Sequence, residues 1–239
     1  MRQEQNSFIS GLIDGIPIGL GYLSVSFSFG IQASAMEIPV LWALLISMTN
    51  LTSAGQASGI GIIASGGSLI EIALTQLIIN SRYFLMSLSL SQKLDDEFSL
   101  PHRFAASFGI TDEIFAVASS KSHRIAPKYM YGLISMPYVG WSLGTFLGAA
   151  AGNILPQMIS GALGIALYGM FIAIVVPPAK QNPRLWAVIL PAIAISCLLY
   201  YIPALDFISS GFTVITSTVI AATIGALIFP IYTEDPDDE

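Results

Sequence analysis

Residues 104–120 read FAASFGITDEIFAVASS. The run is apolar enough to enter a bilayer, yet it carries two adjacent carboxylates, Asp112 and Glu113. Even the gentlest insertion scale puts the cost of one such group at the bilayer centre at roughly 2.5 to 3.5 kcal/mol. Charges of this kind persist where they face a protein interior or a water-filled path. Three more lie inside apolar stretches, Asp14, Glu71 and Arg82, and together the five mark a polar route through a membrane protein. The same run decides the fold. Counted as a crossing, it is the fourth of eight spans; the other reading is a broken or re-entrant segment lining a cavity.

Working outward, the chain of 239 residues is 54% hydrophobic and only 10% charged. Its mean hydropathy of +0.73 is too high for a soluble domain with a hydrated surface. Apolar stretches occupy 8–31, 38–63, 67–90, 104–120, 129–152, 158–178, 185–203 and 209–231. Eight spans of about 20 residues use almost the whole length, so no room is left for a soluble catalytic or nucleotide-binding domain. The expected fold is an all-α integral membrane protein forming one transmembrane domain. With eight spans, Arg2, Lys121, Arg124, Lys128, Lys180 and Arg184 fall on one side and only Lys93 and Arg103 on the other. That bias puts both termini in the cytoplasm. Residues 232–239 form an acidic tail that supplies most of the net charge of −6 and reads as a solvated end. Cys197 is the single cysteine, an ordinary small hydrophobe that cannot form an intrachain disulfide. No cleavable signal pattern follows the first stretch, which carries Asp14 and Pro17.

Short matches recur in the same order along the chain. Leu45-Ile46-Ser47-Met48 returns as Leu133-Ile134-Ser135-Met136, Ile72-Ala73-Leu74 as Ile165-Ala166-Leu167, and Gly15 has a counterpart in Gly109. The order implies two three-helix units, 8–90 and 104–178, inserted with opposite orientation, plus a C-terminal hairpin at 185–231. In such inverted repeats the substrate site lies near the midplane between the units. Gly55 and Gly59, and Gly144, Gly148 and Gly152, have the four-residue spacing that lets helix backbones approach closely, and packing is their expected role.

Pro17, set among Gly15, Gly19 and Gly21, is expected to break the first span. The freed N–H groups of a half-helix can hold a substrate carboxylate. Asn50 and Gln56 belong to a polar run inside the second span and must be hydrogen-bonded, across helices or around a cavity. Asn80 and Arg82 lie in the third. Arginine is a fixed cation, so Arg82 either forks a substrate carboxylate or pairs with Asp112 or Glu113. Thr111, Asp112 and Glu113 are the strongest candidates. Two adjacent carboxylates in a membrane segment cannot both stay charged cheaply, so one of them is a site that can take up and release a proton. His102 and His123 lie outside any metal-ligand spacing, and HExxH, CxxC and Walker patterns are absent. No metal, cofactor, enzymatic chemistry or ATP hydrolysis is expected of this chain.

Gly109-Ile110-Thr111-Asp112-Glu113-Ile114-Phe115-Ala116, with Arg82-Tyr83 and Ser89-Leu90 before it, resembles the AzlC/YgaZ family of bacterial branched-chain amino-acid exporters. Ala54-Gly55-Gln56 and Trp141-Ser142-Leu143-Gly144-Thr145 followed by Gly148 are similar to further elements of that family. Asn80 departs from an acidic residue at that place in the family, which leaves it a hydrogen-bonding role. The resemblance implies export of valine, leucine, isoleucine and methionine across the bacterial cytoplasmic membrane. It also implies a small membrane partner of the AzlD/YgaH type and gives no role to nucleic acid. Arg82, Asn80 and Gln56 would then hold the zwitterion and Asp112 or Glu113 would couple to protons. Two rival readings stay open, the permease subunit of an ATP-driven transporter and a channel or scaffold for the small partner.

Overall fold

A computed structural model describes residues 6–152, 154, 169, 172, 175–205 and 207–229. The architecture is all-helical, with one isolated bridge between Leu94 and Ile125. The helices with described bounds include α1 (Phe8–Ala35), α2 (Val40–Thr49), α3 (Ser53–Ala64), α4 (Leu69–Ser91), α5 (Leu100–Phe108), α6 (Asp112–Ser120), α7 (Pro127–Gly152), α8 (Trp186–Tyr201) and α9 (Ser210–Ile228). Ser7 caps α1 by accepting from Ser10 N, and Ser68 caps α4 by accepting from Glu71 N, both at 3.1 Å. Among the described residues, four helices are long and apolar enough to cross a membrane: α1, α4, α9 and the continuous turn-and-helix Pro183–Tyr201. The side-chain distribution is inside-out. Gln56, Thr75 and Thr145 are fully buried, whereas Leu69, Leu77 and Phe84 are 84%, 68% and 71% exposed. Water would not leave such a surface stable; lipid does.

The frame is a pair of parallel helices. Asn6 bonds Arg124 O and Ala126 N, tying the starts of α1 and α7 to the same loop. From there the two run side by side, Gly11 facing Tyr129, Gly19 facing Met136, and Gly148 facing Phe27. A Cβ on Gly148 would sit 2.0 Å from the Phe27 carbonyl oxygen, and one on Gly11 would sit 2.0 Å from that of Tyr129. Only glycine permits this approach, so the expected packing role of Gly144 and Gly148 is what the geometry displays.

The second and fourth expected spans are not single crossings. Each is two short helices folded back on themselves. In residues 38–63, α2 ends at Thr49 and α3 starts at Ser53. Gln56 bonds Ser47, and Ala43 shares a cluster with Ile60, so α3 retraces α2 in the opposite direction. In residues 100–120, α5 ends at Phe108 and α6 begins after the Thr111 cap, which accepts from Ile114 N. The entry and exit of this second hairpin are tied together. Asp95 N donates to Ile125 O at 3.0 Å, Ile125 N to Lys93 O at 2.9 Å, and Arg124 pairs with Asp96 at 2.9 Å. Arms of 9 to 12 residues reach roughly 14 to 18 Å, about half a hydrocarbon core. Hairpin 1 (α2–α3) enters from the end where α1 finishes, hairpin 2 (α5–α6) from the end where α1 starts, and their tips meet beside the frame pair, against Tyr22 and Trp141.

Three expectations change with this. Lys93 and Lys121 were placed on opposite sides, but Lys93 Nζ donates to Lys121 O at 2.9 Å. The two helices of a hairpin bring its flanks to one end, so Lys93 and Arg103 join the other basic residues. Pro17 does not break the first span: α1 runs unbroken through it for 28 residues, pressed along α7 by its glycine face. The two matching tetrapeptides occupy unlike elements, Leu45–Met48 a hairpin arm and Leu133–Met136 the middle of the 26-residue α7. The match at 165–167, most of the expected span 158–178 and the acidic tail lie outside the described residues.

At the C-terminal side α8 and α9 form an antiparallel pair, Ser196 bonding Ser217 at 2.9 Å. Glu71, 3% exposed, receives the Ser209 hydroxyl and, at 2.8 Å, the Gly211 N–H. A carboxylate there satisfies donors at the start of α9 and so anchors this pair to α4.

Candidate functional site

Both hairpins owe their tips to residues that compete with helix. Asn50 and Thr52 adopt extended backbone, and Thr52 Oγ1 donates to Asn50 Oδ1 at 2.9 Å. Gly109 closes α5, and Thr111, in extended backbone, opens α6. The tips converge on a small cavity, about 20 Å³, lined by Tyr22, Leu51, Ser53, Tyr83, Thr111, Asp112, Glu113 and Trp141. That volume admits about one water and no amino acid, so the centre is closed.

The two adjacent carboxylates have different partners. Asp112 pairs with Arg82 of α4, whose guanidinium also donates to Tyr83 Oη at 3.1 Å. Glu113 accepts from Tyr22 Oη, which reaches Thr111 Oγ1 at 2.7 Å as well. Among the described residues Glu113 has no cationic partner. Tyr22 in turn meets Trp141 edge to face at 5.1 Å. Trp141 donates to Gln56 at 2.8 Å, and Gln56 continues to Ser47 and Thr145, each step 2.7 Å. Two hydrogen-bonded groups, one in hairpin 2 and α1 and the other in α7 and hairpin 1, therefore meet at the Tyr22–Trp141 ring contact.

A second polar group sits behind the hairpin 1 tip. Gln76 Nε2 donates to Gly55 O at 2.7 Å, while its Oε1 accepts from Asn80 at 3.0 Å and Asn50 at 3.4 Å. Asn80 Oδ1 is buried without a partner among the described residues. At the base of hairpin 2, Lys121 donates to Asp14 Oδ2 at 2.6 Å and Tyr129 to the same oxygen at 2.7 Å.

Of the residues expected at the site, Thr111, Asp112 and Glu113 line the cavity and Arg82 reaches it through Asp112. Asn50 and Asn80 stand one layer back. Gln56 faces the interior of hairpin 1, and Pro17 lies outside the lining. Ser53, part of the polar run that Asn50 opens, lines the cavity as well, whereas Tyr22 and Gln76 were not singled out from sequence. Tyr83 and Trp141 stood inside the family-like motifs, but a tyrosine or tryptophan in a membrane segment carries no mark of its partner. No group of histidine, cysteine and carboxylate side chains suited to a metal occurs among the described residues.

The sequence model of the family described as AzlC protein matches residues 17–155, which hold both hairpins and the whole cavity lining. The chain is 27% identical to inner membrane protein YgaZ of Escherichia coli over 97% of its length and 94% of that protein's. It is 29% identical to an uncharacterized membrane protein of Archaeoglobus fulgidus over 85% and 90% of the two chains. A membrane protein of Helicobacter pylori strain J99 is 24% identical over 81% and 87%. No solved structure matches.

Proposed function

The chain belongs to the AzlC family of membrane proteins, and on that premise we propose that it is a secondary transporter exporting branched-chain amino acids across the cytoplasmic membrane. The observation that carries the reading is the meeting of two opposed half-length hairpins at a half-buried cluster of charges. Non-helical backbone at membrane depth is tolerated where it lines a cavity, and broken helices at the midplane are how many transporters build substrate sites. Arg82 offers a fork for the amino acid's carboxylate and the Asn80 amide oxygen an acceptor for its ammonium. The α3 N-terminus, whose Thr52 makes no side-chain cap, adds N–H donors beside Ser53.

The site divides labour between the carboxylates. Asp112 is paired with the fixed cation of Arg82. Glu113, held by a neutral phenol, is the proton carrier. A proton on Glu113 leaves Tyr22 free to donate to Thr111, so loading alters the bonding between hairpin 2 and α1.

Orientation follows from the basic residues. Lys93, Arg103, Lys121, Arg124 and Lys128 gather at the end where α1 and α7 start. Arg184, 5.5 Å from the Phe229 ring at the far end of α9, belongs there too. This end is the cytoplasmic one, with both termini on it. A small membrane partner of the AzlD/YgaH type completes the exporter.

Counterflow of labelled valine into proteoliposomes, with and without the small partner, tests the function. Exchange with the partner present is expected. Its absence sinks the reading, and transport that stops with ATP depletion but survives an uncoupler transfers it to an ATP-driven permease.

A further inference from the structure

A second cavity, about 240 Å³, opens at the basic end between α4 and hairpin 2. Its walls are Leu90, Leu94, Phe98, Phe104, Ile110 and Met130, with Ala106 on the inner side. No carboxylate or amide side chain lines it. Arg103 does; one of its N–H groups donates to Phe98 O at 3.2 Å, and it makes no ion pair among the described residues. Ser87, Ser91 and Ser107 add hydroxyl oxygens to the rim. Ile110 forms its deep wall, and the next residue, Thr111, lines the closed central cavity. The hairpin 2 tip is thus the partition between the two spaces.

We propose that this cavity is the cytoplasmic loading site, where an amino acid places an aliphatic side chain before the tip opens. The inference rests on the transport reading above and names the feature that selects its substrate. Size decides first: the central cavity holds one water, whereas this one accommodates a whole leucine. Chemistry decides next. An all-apolar floor rejects polar side chains, because a buried hydroxyl or amide would have no partner there. The guanidinium at the rim, without an ion pair among the described residues, complements a carboxylate, and the serine oxygens accept from an ammonium. A bilayer acyl chain is the competing occupant and would make the cavity indifferent to leucine.

The test uses inside-out vesicles containing the full chain and its small partner, with leucine added to the exposed cytoplasmic face. Filling the cavity by Ala106→Phe or Ser91→Trp is expected to raise the leucine KM about tenfold or more, with the rate at saturation retained. Leucinamide, lacking the carboxylate, should compete poorly against leucine in the native protein and nearly as well as leucine in Arg103→Gln. A variant that leaves packing untouched, Ser107→Cys with Cys197→Ser, should be protected by leucine from a membrane-impermeant thiol reagent. Unchanged KM in the filled variants, or no protection of the cysteine by leucine, overturns the loading site while transport stands. Native vesicles that take up no leucine overturn both.

Discussion

Asp112 and Glu113 are adjacent in sequence, yet one faces a guanidinium and the other a phenol. Neutralising them should therefore give different failures. Glu113→Gln keeps a group that can accept from Tyr22 and removes the proton site, so valine counterflow should persist while uphill export stops. Asp112→Asn leaves Arg82 without its counter-charge, and the first loss should be folded protein in the membrane. Uphill export at the native rate in Glu113→Gln would end the assignment. Tyr22→Phe removes the one hydroxyl joining Thr111 and Glu113 to α1. Losing such a buried bond costs about 1 to 3 kcal/mol, enough to cut export roughly tenfold with the protein still folded, checked by transport and membrane yield together. The acidic pair and Arg82 were legible in sequence because charge in an apolar run is rare. Tyr22 was not, since its importance comes from two partners about ninety residues away in sequence.

At the level of elements, the long helices could be read from apolar length and the hairpins could not. Two half-helices of about ten residues have the same summed hydropathy as one full crossing. The reversal between them is set by packing of α3 on α2, as in the Gln56–Ser47 bond. The residues that interrupt the helix, Asn50 with Thr52 and Thr111, were visible, and re-entry at 104–120 stood as an alternative. Pro17 misled because a proline's missing N–H is tolerated where a neighbouring helix holds the backbone in line. A pair of glycine variants checks that frame. Gly148→Ala puts a methyl against the Phe27 carbonyl and should sharply lower the yield of folded protein. Gly21→Ala, with nothing within 4 Å, should be silent. Equal yields would mean that α1 and α7 do not pack as described.

Over the whole molecule, the two hairpins change which loops share a side. Single cysteines at Asp96 and at Arg124, in a Cys197→Ser background, should both react with an impermeant reagent from the cytoplasm. Eight full crossings would place position 96 on the outer face, so labelling of that cysteine from outside only would restore the eight-span fold. The parallel pairing of α1 with α7 also bears on how the protein is made. The first helix enters the bilayer with its glycine stripe bare, and its mate is synthesised only after both hairpins and α4. Until then nothing else in the nascent chain offers α1 a matching groove, and neither hairpin has the wall against which its tip closes. Biogenesis therefore passes through an incomplete state that translation must outrun or an insertase must shelter. Ribosome stalling before α7 should leave the chain open to membrane proteases, and release of a few dozen further residues should make it resistant.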